Sequence, residues 1–109
     1  MALDPSPIAA SMLKAAKDSL ASDWPKARAY ADGEFKRLAQ ALADIGTLVA
    51  EGTVNEQQAR ALVQIHKNTT QTVMLTIEGL GIIAVENAIN AALGAVATAV
   101  NKAVGLTVL

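Results

Sequence analysis

The sequence contains no cysteine, which excludes disulfides, thiol catalysis and cysteine-based metal sites. Aromatic residues are almost as scarce: one Trp, one Tyr and one Phe, too few for a platform on which nucleic-acid bases could stack. The net charge of −1 gives no basic surface to attract a phosphate backbone either, so no nucleic-acid partner is expected. The three prolines, Pro5, Pro7 and Pro25, all lie near the start, leaving everything after residue 25 free to be helical. The opening residues MALDPSPIAAS hold no basic run and no long apolar run; no secretory signal is visible, and a cytoplasmic location is expected.

What is present is alanine and aliphatic side chains: 52% of the 109 residues are hydrophobic. That composition favours helices, and the length suits a single domain with a modest core. Charge is unevenly spread. Residues 1–67 carry eight basic and eight acidic side chains, whereas residues 68–109 carry only Lys102, Glu78 and Glu86. The stretch from Thr70 to Leu109 thus sets the problem the rest of the chain has to answer. On a helical wheel it divides into three sectors. Asn87, Asn90, Gly94, Thr98, Asn101 and Gly105 form a polar and small stripe. Ala84, Ala88, Ala91, Ala92, Ala95 and Ala99 form a smooth alanine face. Ile82, Val85, Ile89, Leu93, Val96, Val100 and Val104 form a bulky face. A helix with two apolar faces of different texture requires two partners.

The chain before this stretch reads as two helices. Residues 1–6 are an extended lead-in, with Ser6 as cap and Pro7 at the first helical position, and a helix follows over about 7–21. Ser22-Asp23-Trp24-Pro25 punctuates it, ending or kinking the helix. The second helix, about 24–50, carries the seam Trp24, Ala27, Ala31, Phe35, Leu38, Leu42, Ile45 and Val49, spaced by three and four. Gly52 is a natural stop. Asn55 then caps a third helix, with Gln58 completing a capping box, and Thr53 with Glu56 as a competing frame. The short connection makes helices two and three antiparallel neighbours.

Length separates two architectures. A continuous third helix over about 55–105 would span roughly 75 Å, far beyond a compact domain with a radius of gyration of about 13 Å. In the first architecture, the expected one, the chain is an all-α, long antiparallel helical hairpin that associates into a helical bundle. In the second, helix three breaks at Gly79–Gly81 and the chain forms a compact four-helix bundle. The two glycines cost about 1 kcal/mol each relative to alanine, too little to force a break where packing opposes it.

No constellation for catalysis, cofactor binding or metal binding is recognisable. His66, the only histidine, sits on the apolar stripe of helix three without the Glu-x-x-His spacing of a di-iron bundle, because position 63 is Val. It reads as an interface-lining side chain. Glu78 and Glu86 sit in apolar surroundings and, with His66, are the candidates for buried polar positions; a carboxylate buried alone is costly, so each should meet a basic group or water. A non-enzymatic assembly or adaptor protein is therefore expected, self-associating through Ile82, Val85, Ile89, Leu93, Val96, Val100 and Val104, most simply as a homodimer. No small-molecule ligand is expected. The alternative is a membrane-active, holin-like or pore-forming protein inserting residues 73–109. Its longest uncharged run, Asn87 to Asn101, is fifteen residues, short of the roughly 20 a spanning helix needs.

Overall fold

The computed structural model describes residues 3–109, and its elements follow from the local signals in turn. Helix α1 spans Pro5–Leu20. Its cap is Asp4, whose carboxylate accepts from the Ser6 N–H at 3.1 Å, with Pro5 at the first position. The expected pairing of Ser6 with Pro7 is therefore replaced by the same chemistry two residues earlier, and Pro5 and Ser6 belong to the helix rather than to a lead-in. A carboxylate is as good a cap as a hydroxyl, and Pro7 is tolerated within the first turn because N–H groups there have no helical acceptor to lose.

The chain ends and restarts at the punctuation read from the sequence. A single 3₁₀ turn, Ala21–Asp23, reverses it, with Ala21 at φ 49° and ψ −115°. That is the first central position of a type II′ turn, a conformation in which glycine is the usual residue. Helix α2 follows over Trp24–Ala50. Its whole expected seam turns inward: Ala27, Ala31, Phe35, Leu38, Leu42 and Ile45 are buried, and Trp24 and Val49 at the ends are half-buried. Helix α3, Glu56–Met74, opens with the full capping box. The Gln58 N–H donates to Asn55 Oδ1 at 2.8 Å, and the Asn55 N–H donates to Gln58 Oε1 at 2.9 Å.

The chain forms the expected all-α bundle, and the second architecture is the one adopted. Helix three is not continuous over 55–105: it stops at Met74, and α4 starts afresh at Ile82 and runs to Val104. Gly79, at φ 85°, makes the left-handed bend between them, a conformation that costs other residues roughly 1–2 kcal/mol. Ile77 and Leu80 on either side of it are buried and pin the turn to the core. Packing therefore favours the break rather than opposing it. It lets Ile77, Leu80, Val85, Ile89, Val96 and Val100 be buried within one chain, at about 1.5–3 kcal/mol each. The few helical hydrogen bonds given up are worth only about 0.5–1.5 kcal/mol each.

The helices alternate in direction. Lys26, at the start of α2, donates to the Gly79 carbonyl at 3.5 Å and pairs with Asp23 at 3.2 Å, so the α1–α2 and α3–α4 turns share one end. Helix α4 lies chiefly along α1, α1 along α2 and α2 along α3; of the consecutive helices, α3 and α4 meet least closely. The molecule measures 42 × 22 × 18 Å with a radius of gyration of 13.5 Å. The long dimension is that of α2, whose 27 residues span about 40 Å. No strand occurs among the described residues.

Candidate interaction surface

The seven residues expected to form an oligomer interface divide between core and surface. Val85, Ile89, Val96 and Val100 are at most 2% exposed and fill the core of the single chain. Leu93 and Val104 are half-buried, Val104 lying against Gly46 of α2. Only Ile82, 60% exposed, stands in the open. The physical reason is that the other helices of the same chain cover α4, chiefly α1 and to a lesser extent α2 and α3. Its buried positions also include Ala88 and Ala92, so the inward arc straddles the boundary between the alanine and bulky sectors. The alanines permit a close approach to α1, which itself buries Ala9 and Ala16, while the larger side chains fill the centre.

The opposite side of α4 is the more unusual surface. Ile83, 74% exposed, begins it. Asn87, Asn90, Gly94, Ala95, Thr98 and Ala99 continue it outward along the helix. Glu86 and Lys102, at its two ends, are the only charges on α4. Leu75, just before the turn, is also exposed, so three large aliphatic side chains gather around the α3–α4 junction in sequence. On helices of soluble domains the outward side is ordinarily rich in charge, and exposed apolar groups that cluster mark contact sites more often than isolated ones do.

The expected buried polar residues are placed differently as well. Glu78 lies exposed in the turn, because the break removes it from the helical wheel on which it faced Ile82. Glu86 points outward from α4. His66 is half-buried on α3. The polar side chains that are buried are Thr70 and Glu34. Glu34, 5% exposed, accepts from Arg37 Nη1 at 2.8 Å through Oε2, while Oε1 has no hydrogen-bond partner. A signal for Glu34 was present. It falls three residues after Ala31 and four before Leu38, on the buried side of α2, and Arg37 stands three residues on to bond it. Among the described residues no group of three or more His, Asp or Glu side chains converges as a metal site would require.

A second feature is the cleft of about 390 Å³ between α3 and α4. Val63, Gln64 and Lys67 line it from α3, and Asn90, Leu93, Gly94 and Ala97 line it from α4. Thr107, Val108 and Leu109 fill one end. Comparison with protein-family models, with curated proteins and with solved structures gave no match.

Proposed function

We propose that this chain is a non-enzymatic helical assembly module that associates with a second copy of itself through the outer face of α4. The observation that carries this reading is the exposure of Ile82 and Ile83, 60% and 74%, at the head of a helix surface with no charge between Glu86 and Lys102. An uncharged face can meet its own copy without like-charge repulsion, as a two-fold interface requires. If two copies lie antiparallel about Gly94, Glu86 of one stands level with Lys102 of the other. A Cβ at Gly94 would meet nothing within 4 Å, which leaves room there for a side chain of the second copy. The test is light scattering without detergent over micromolar concentrations. The expected mass is twice 11.2 kDa, falling to the monomer in Ile83→Asp with the helical spectrum unchanged. A wild-type chain that stays at the monomer mass throughout refutes the proposal.

One observation favours a second reading, insertion into a membrane. Helix α4, Ile82–Val104, is long and apolar enough by length and composition to cross a bilayer. Insertion would require α4 to leave α1 and to carry Glu86 and several Asn side chains into lipid, which is costly. Flotation with neutral phosphatidylcholine vesicles separates the readings: the assembly module stays with the soluble fraction.

A further inference from the structure

The geometry points to the segment Gly105–Leu109 as a latch that closes the cleft between α3 and α4. It requires no second copy of the chain, although Asn90 and Gly94 border both the cleft and the outer face of α4. Each of these two helices has its main partner elsewhere, α3 on α2 and α4 on α1. They can therefore part without disturbing the α1–α2 pair. At one end the covalent turn 75–81 joins them and acts as the hinge. At the other end the cross-tie is this segment.

The segment is held by built contacts rather than left to trail. Gly105 ends α4 in the left-handed conformation, φ 82°, and so turns the chain back over the helix, as glycine does at this position. The Asn101 side chain then clasps the returning backbone. Its Oδ1 accepts from the Val108 and Leu109 N–H groups at 2.9 and 3.0 Å, and its Nδ2 donates to the Leu109 carbonyl at 3.2 Å. This satisfies three main-chain groups that lie outside any helix. Those bonds stay within α4 and its extension. The bond that crosses the cleft comes from α3: Arg60 Nε donates to the Thr107 carbonyl at 2.7 Å. Between the two clasps Val108 is 5% exposed and serves as the apolar plug. With the latch lifted, the carbonyl bond from α3 and the Val108 contact are lost together, and the cleft extends to the end of the bundle with Val63 and Leu93 along its floor. The same chain then has a closed and an open form, a packing change confined to the least tightly joined of its consecutive helix pairs.

Amide hydrogen exchange tests this, because it reads local opening separately from global unfolding. In Asn101→Ala, exchange at Val63, Lys67, Leu93 and Ala97 should rise roughly tenfold or more, while Met12 in α1 and Leu38 in α2 keep their wild-type rates. Arg60→Gln should raise the same amides by a smaller factor. Its side chain is exposed, so the variant folds even if Asn101→Ala does not, and it then decides the question alone. The latch is overturned if Val108 and Leu109 exchange freely in either variant while the cleft amides do not change. It is equally overturned if all four helices exchange faster in parallel, which would make the segment a general contributor to stability with no particular hold on the cleft.

Discussion

Helices α2 and α4 solve the inward half of the same task in the same way and the outward half in opposite ways. Both bury a seam spaced by three and four residues, Ala27 to Ile45 on one and Val85 to Val100 on the other. Outward, α2 carries Lys26, Arg28, Asp32, Lys36, Arg37 and Asp44, some of them paired along the helix, as in Lys36 with Asp32 at 2.9 Å. Helix α4 carries amides, alanines and a glycine there, bounded by Glu86 and Lys102. Apolar content alone therefore does not mark the face proposed to meet a second copy. The large aliphatic side chains of α4 are needed for its own core, and what sets its back apart is the missing charge.

The inward half of this comparison predicts the largest effect. Ile89→Ala should destabilise the isolated chain by about 2–5 kcal/mol, the range for truncating a buried Ile. A chemical-denaturation curve checks it. If Ile89 served only an interface between copies, the loss would show in mass and not in the stability of the monomer.

On the outward side of α2 not every charge is equal. Arg37→Ala leaves the buried Glu34 carboxylate without its partner and should cost about 1–3 kcal/mol. Lys36→Ala removes an exposed pair and should stay within about 0.5–1 kcal/mol. Thermal melts of the two variants, one residue apart, measure the difference. Equal effects would mean that Glu34 finds another partner once Arg37 is gone.

The smallest effect sharpens the comparison most directly. Gly33 in α2 and Gly94 in α4 are both exposed, and a side-chain carbon at either would meet nothing within 4 Å. Replacement by alanine should stabilise each helix alike, by about 0.5–1 kcal/mol. The outcomes diverge only in association. Gly33→Ala should leave the mass unchanged, whereas Gly94→Ala should weaken the proposed dimer by inserting a methyl where its two α4 helices would meet. If both variants keep the wild-type dissociation constant in sedimentation equilibrium, the contact does not pass over Gly94.

Near neighbours along the chain set the features that could be read without a structure. The Asn55–Gln58 capping box, the end of α2 at Ala50, the seam from Trp24 to Val49 and the all-helical class were legible because hydrogen bonds three or four residues apart set them. Even the start of α1 differed from expectation only by which of two cap-and-proline pairs was used. The tertiary structure alone decided the rest. Whether helix three breaks depends on the sign of a packing term, and that sign is known only once α1 is in place to receive α4. The wheel of α4 showed which faces were apolar but not that the helices of the same chain could cover parts of two of them. Glu78 lost its apolar surroundings when the helix that created them ended. The clasp of Asn101 and Arg60 on the final segment joins residues up to 47 apart, beyond the reach of any local pattern, because the energy of such contacts exists only after the helices have met.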